Sequence, residues 1–299
     1  MPNKKKKDGV YTVFEPKDVK SPLVFDSPHS GRTYPKDFDY ICDFQLLRRS
    51  EDLLVDELFA PLADKGYPFL TALFPRAYID VNRHCRKIDE ELIEVEEVPG
   101  KIKRVKEVNG TGLIRRFCSY TSPQPIYDRK LSLKDVFNRL SGYYYPYHDQ
   151  LSEMLEKTQK RMGQYVYVSC HSLPSKFRDG NDNPYDIYLG TQDGESCDQR
   201  LTEALKKRLE EKGYSVAVNS FFKGGHNIRK YGVPAKGKHA ILIEVNRGLY
   251  ADEDNLRKGK NFDAFQKDIL DIMTAFDRDA RNILFNDPGY RPQRHKFFR

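Results

Sequence analysis

Three short apolar runs in this chain each end in a residue able to hold a metal or move a proton. Leu23-Val24-Phe25 leads through Asp26-Ser27-Pro28 to His29. Val166-Tyr167-Val168-Ser169-Cys170 leads to His171-Ser172, and Ala240-Ile241-Leu242-Ile243 leads to Glu244-Val245-Asn246-Arg247. Runs this short and this apolar read as buried strands. Pro28 cannot donate to a sheet ladder, so the first strand should end there. That places His29 at a strand's carboxyl end, where open α/β sheets bind their ligands. The rest of the chain reads as scaffold for these three points.

The intervening segments fit that scaffold. Residues 1–20 read as a tail with an edge segment, and Gly31 to Asp43 as a loop. Ser50 is a good N-cap for a helix carrying Leu54, Leu58 and Leu62 on one face, which Gly66 stops. Phe69–Phe74 and Ala77–Val81 read as strands. An acidic stretch, Glu90–Glu97, and a basic one, Lys101–Lys106, flank Pro99-Gly100 as a solvated arm. Leu133 to Met162 has helical periodicity that Pro146 should kink or break. Further helices are expected over Asp198–Lys212 and Phe262–Leu284, and strands at Ile187–Leu189 and Ser215–Asn219. Alternating strands and helices over 299 residues, with no internal repeat, argue for one α/β domain over residues 1–299, with tails at about 1–20 and 288–299.

Composition narrows the function classes. No apolar stretch approaches a membrane span, and the charged N-terminus lacks the apolar segment of a signal peptide, so the cytoplasm is the expected location. Five cysteines without a CxxC pair argue against a disulfide framework or a cysteine-rich metal site. The net charge of +7 sits largely in the first residues and in the stretch from Arg291 to Arg299. With no nucleic-acid-binding signature in the chain, a small anionic substrate suits the basic balance better.

A catalytic zinc ion takes nitrogen and carboxylate ligands and keeps one position open. His29 and His171 supply two strand-end imidazoles. Asp52, in the expected first helical turn, is the best placed acid, with Asp56 one turn later as the alternative. On spacing alone the two histidines also fit hydrogen-bonded loop residues. Glu244, directly after four apolar residues, is the candidate general base, since a carboxylate beside a metal can take a proton from the attacking water. It equally fits a strand-end partner of Arg247. Asn82 and Arg83, after Ile79-Asp80-Val81, could fork onto a substrate carboxylate. Arg229, after Gly224-Gly225, offers a second anion clamp. No remaining histidine pair has HExxH spacing.

Together these segments resemble the N-formylglutamate amidohydrolases, the N-formylglutamate deformylases of histidine degradation. The likeness runs in order from about Leu23 to about Tyr250. It covers Ser27-Pro28-His29-Ser30-Gly31, the Asp52, Val55, Asp56 segment, Ile79-Asp80-Val81-Asn82-Arg83 and Gly110-Thr111-Gly112. It continues through Tyr145-Pro146-Tyr147-His148, Cys170-His171-Ser172-Leu173-Pro174 and Leu189 to Cys197. Phe222-Lys223-Gly224-Gly225, Arg229-Lys230-Tyr231-Gly232 and Glu244 to Tyr250 complete it. The resemblance implies a zinc amidohydrolase related to the metallocarboxypeptidases and aspartoacylases, with a three-layer αβα fold around a mixed, mostly parallel sheet. It implies one zinc ion on His29, Asp52 and His171, with Glu244 as base. It also implies that Asn82 and Arg83 bind the carboxylate of an anionic N-acyl amino acid, N-formyl-L-glutamate first. In the wider group the acid ligand lies three residues after the first histidine. Here that position is Arg32, so the acid comes from elsewhere.

Overall fold

The structure is a computed structural model and describes residues 3–94, 103–105, 110–118, 124–177 and 179–287. Among the described residues ten strands, β1 (Asn3–Lys7), β2 (Tyr11–Glu15), β3 (Leu23–Ser27), β4 (Phe69–Ala72), β5 (Lys87–Asp89), β6 (Lys103–Val105), β7 (Tyr165–Leu173), β8 (Ile187–Gly190), β9 (Val216–Val218) and β10 (Lys238–Asn246), precede a short pair at Ala251–Asp252 and Arg257–Lys258. Eight of them form one sheet in the order β1-β2-β4-β3-β7-β10-β8-β9. The central neighbours β4, β3, β7 and β10 run parallel, and β8 turns antiparallel against β10. The helices are α1 (Phe44–Arg48), α2 (Val55–Phe59), α3 (Pro61–Asp64), α4 (Leu133–Arg139), α5 (Tyr145–Met162), α6 (Gln199–Glu211), α7 (His226–Tyr231) and α8 (Phe262–Arg281).

Strand periodicity splits the core into two layers, because successive side chains leave opposite faces of a strand. On one face Val24, Tyr167, Ala240 and Leu242 pack with Tyr147, Leu151, Met154 and Leu155 of α5. On the other, Leu23, Phe25, Val166, Val168, Ile241 and Ile243 pack with α2, α6 and α8 through Leu58, Leu205, Ile269 and Phe276. This is the expected three-layer α/β arrangement. No helix among the described residues is long and apolar enough to cross a membrane.

Several local expectations shift. The edge segment expected within residues 1–20 is present and takes up most of the expected tail, with β1 and β2 paired antiparallel at the sheet edge over residues 3–15. Ala77–Val81 is a turn. Ala77, Tyr78, Ile79 and Val81 are buried as a strand would bury them, but Asp80 Oδ1 accepts from the Asn82 amide at 2.8 Å and curls the backbone. Ser50 caps no helix. Asp43 caps α1, and the next helix begins only at Val55, after Leu54 in a left-handed conformation at φ 58°. The helical stretch from Leu133 is interrupted at Leu140–Tyr144 by a widened π turn, and Pro146 then lies in the first turn of α5. Proline has no amide proton to bond back, so the turn before it loosens. The arm lies outside the described residues over 95–102 and at 106, and the tail over 288–299 lies outside them as well.

β8 ends on Gly190 because the 222–224 backbone crosses it. A Cβ there would sit 2.7 Å from Phe222 O, Lys223 C and Gly224 N. Three atoms of one crossing backbone segment leave little room to yield. Gly190→Ala is therefore expected to cost about 1–3 kcal/mol, read as a melting temperature several degrees lower in a thermal scan.

Candidate active site

The site forms at the carboxyl ends of β3, β7 and β10. Register does much of the placement. Glu244 is the neighbour of His171 across the parallel β10–β7 pair, so both side chains leave the same face, with strands about 4.8 Å apart. His29 follows the end of β3 on the other side of β7. Asp52 arrives from the turn before α2. Its amide donates to His29 O at 3.0 Å, and the Ser30 hydroxyl donates to Asp52 O at 2.8 Å. Arg247 donates to Glu51 O, and the Tyr250 hydroxyl donates to Leu53 O at 2.7 Å. A loop acid is thereby held on both sides as firmly as a strand residue.

Asp52 Oδ2 lies 2.8 Å from His171 Nδ1 and 3.3 Å from His29 Nδ1. The three residues are buried, and their ligand atoms lie within 4.8 Å of one another. His29 Nε2 is 2.7 Å from Asp80 Oδ1, the geometry of an N–H donated to a carboxylate, which leaves the Nδ1 lone pair turned inwards. Among the described residues that buried Nδ1 has no well-formed hydrogen bond and faces Asp52 Oδ2 at 3.3 Å, as two ligand atoms turned towards one cation would. Two imidazole nitrogens and one carboxylate with an open side make the donor set of a catalytic divalent metal.

Arg76 braces this group. Its Nη1 donates to Asp52 Oδ1 at 3.2 Å and its Nη2 to Asp80 Oδ2 at 3.0 Å. Burial pushes the Asp52 carboxyl up, but the Arg76 guanidinium and the two histidines outweigh it and hold Asp52 well below the usual carboxylate range. Asp80 is likewise raised by burial and lowered further by His29, Arg76 and Arg83, ending well below that range. Glu244 goes the other way. Burial dominates and pushes it up to about 7; the Asp52 charge adds to the rise, while His171, Arg76 and Arg247 oppose it. A carboxyl tuned to neutrality beside a metal-type donor set suits proton transfer.

His29, Asp52, Arg76, His171 and Glu244 line a cavity of about 880 Å³ whose wall also carries Arg83, Arg115, Arg247, Lys176 and Lys223, with Asp252, Glu253 and Asp254 as its acidic part. Arg83 Nε donates to Thr111 O at 2.9 Å, which fixes the stem of the guanidinium. Asn82 is buried beside it, its Oδ1 accepting from the Asn227 amide at 2.9 Å. A Cβ on Gly225 would come within 2.3 Å of the Asn82 amide group, so glycine is what lets α7 begin there. A basic wall with a general base beside a metal-type group can orient a small anion and hydrolyse a bond in it.

Of the residues singled out in the sequence, His29, Asp52, His171, Glu244, Asn82, Arg83 and Arg247 converge on this cavity. Asp56 does not. Its Oδ2 accepts from Arg32 at 3.2 Å, away from the histidines. Arg229 is exposed on α7 and donates to Gln192 Oε1 at 2.8 Å, outside the cavity lining. Arg247 lies 3.7 Å from Asp52 and donates to Ser172 Oγ at 3.0 Å, which makes it a brace for Asp52 as well as part of the wall. Sequence reasoning missed Arg76 and Arg115, for which no local pattern exists. The role of Asp80 was missed too, although its place in the Asp80-Val81-Asn82-Arg83 segment offered a signal.

The N-formylglutamate amidohydrolase family profile matches residues 21–251. An N-formylglutamate deformylase of Pseudomonas putida is 29% identical over 237 residues, covering 78% of this chain and 82% of that protein. The crystal structure of an N-formylglutamate amidohydrolase from Ralstonia eutropha JMP134 superposes with a TM-score of 0.83 at 35% identity, over 91% of this chain and 99% of that one. The gene product Atu2144 of Agrobacterium tumefaciens, 19% identical with a TM-score of 0.59 over 89% of this chain and 95% of its own, shares the fold. On its sequence, its sheet and the full length of the match, the chain belongs to the N-formylglutamate amidohydrolase family.

Proposed function

We propose that this protein is a zinc-dependent amidohydrolase that cleaves N-formyl-L-glutamate to formate and L-glutamate, with a role in histidine degradation. The observation that carries the reading is the His29, Asp52, His171 group with Glu244 in register beside it, at the bottom of a basic cavity. Relatives named for this reaction align along most of the chain.

His29 and His171 would hold the ion through Nδ1 and Asp52 through a carboxylate oxygen. When bound, zinc supplies Lewis acidity at the scissile carbonyl and acidifies the adjacent water. Arg83 and Asn82 hold a substrate carboxylate at the cavity wall, which fixes the amide relative to Glu244. Glu244 takes the proton of the attacking water and returns it to the leaving nitrogen, so that glutamate departs as an amine rather than an amide anion. Arg76 and Arg247 stay on Asp52 throughout and keep it ionised.

Three outcomes follow from these roles. Elemental analysis of His171→Ala and Asp52→Ala should show the metal lost, while Asp56→Ala keeps it; full zinc in His171→Ala would refute the ligand set. Arg83→Lys should lower kcat/KM on formylglutamate by roughly tenfold or more with the fold intact, because lysine cannot make two parallel bonds to a carboxylate. Glu244→Gln should retain metal and lose roughly 10²–10⁴-fold in turnover. Because a base works deprotonated, wild-type activity should rise with pH along an acidic limb. A bound cation lowers the Glu244 value of about 7, so the limb lies below neutrality, and it should be absent from the Glu244→Gln profile.

A further inference from the structure

Asp26 is a carboxylate in the middle of the sheet for which the mechanism has no use. It lies in β3 with no exposed surface. Burial pushes its pKa up, although His171 and the bonds from neighbouring hydroxyls oppose the rise. An acid in an apolar interior carries a large desolvation cost unless hydrogen bonds offset it. Its bonds run in one direction. The Tyr147 hydroxyl donates to Asp26 Oδ2 at 2.8 Å, and the Ser169 hydroxyl donates to Asp26 Oδ1 at 2.8 Å. Ser169 Oγ also lies 3.1 Å from His171 Nε2.

Ser169 has a single proton, and Asp26 takes it. Towards His171 the serine oxygen is then an acceptor, so His171 Nε2 carries the hydrogen and Nδ1 is bare; the Asn82 Nδ2 amide, also a neighbour of Nε2, stands further off at 3.4 Å against 3.1 Å for Ser169. Nδ1 is the atom 2.8 Å from Asp52 Oδ2, on the side of the metal-type group. Asp26 and Ser169 are register partners across the parallel β3–β7 pair, and His171 is two residues further along the same face. His29 receives the same service directly, from Asp80.

Resting on the metal assignment above, we infer that Asp26 and Ser169 form a positioning relay that sets the tautomer and ring orientation of His171 for metal binding. Asp80 sets His29 in one step. For His171 the carboxylate lies one strand away and acts through the serine hydroxyl. Neither Asp26 nor Ser169 touches substrate.

The test is zinc affinity of the full-length protein, stripped and retitrated against a chromophoric chelator. Ser169→Ala and Asp26→Asn should each weaken binding roughly 10–100-fold, the usual effect of losing an outer-shell partner. The double variant should be no weaker than the weaker single one, because both substitutions break the same chain. Ser169→Thr keeps the hydroxyl and should stay within about threefold of wild type. A merely structural role predicts lower melting temperatures with unchanged zinc affinity in the folded variants. The relay is overturned if Ser169→Ala or Asp26→Asn binds zinc like wild type, or if their losses multiply in the double variant. Should Ser169→Ala fail to fold, loss in Asp26→Asn with retention in Ser169→Thr supports the relay, and equal affinity in the two overturns it. Wild-type protein that binds no zinc, or His171→Ala that binds it fully, refutes the metal assignment itself and the relay with it.

Discussion

The parallel register of β3, β7 and β10 is the constraint on which the site depends. It pairs Asp26 with Ser169 and Glu244 with His171, all on the face that looks towards α5 and the cavity. A slip of one residue would turn these groups into the opposite layer, among Val168, Ile243 and Phe276. The apolar residues on that opposite face are therefore more than ballast. Burying Val166, Val168, Ile241 and Ile243 under α6 and α8 fixes the register that aligns the polar set on the other side.

Charge is balanced within this frame by a small number of shared contacts. Asp52 and Asp80 are both buried, and Arg76 spans them with one guanidinium. Such a bridge is a weak source of stability, since desolvating the ions offsets much of their attraction. What it provides here is geometry: Asp52 keeps Oδ2 for the histidines while Oδ1 is occupied by Arg76. Among the described residues Glu244 has no ion pair of that closeness, and burial raises it to about 7, where an acid can both accept and return a proton. The same protein thus tunes neighbouring carboxylates in opposite directions, one as ligand and one as base. Around them, the arginines and lysines of the wall give an anionic substrate a favourable field on approach.

Much of this was legible in the chain because strand ends are local events. A run such as Ala240–Ile243 followed by a glutamate announces both the strand and its functional terminus, and His29 after Pro28 does the same. The turn at Ala77–Val81 was not legible. Its residues are as apolar as a strand, and the Asp80 side chain, accepting from the Asn82 backbone amide, is what curls it. Arg229 sits in a glycine-bearing segment that looks like a ligand loop, yet α7 points it outwards to Gln192. Arg76 follows a proline in an unremarkable stretch, and nothing near it indicates that two buried acids will converge there.

The sequence by itself determined the α/β class, the three strand ends and the identity of the groups they carry, because apolar periodicity and chain-breaking residues act over a few positions; the three layers followed only from the family resemblance. Only the tertiary structure decided how those groups meet. Asp52 reaches His171 across 119 residues of chain, and Ser169 reaches Asp26 across 143. Such pairings are set by sheet register and by backbone bonds such as that from Asp52 to His29, which form only once the layers have packed. Short-range pattern specifies which residues stand at the ends of strands; long-range packing specifies which of them share a proton or a metal.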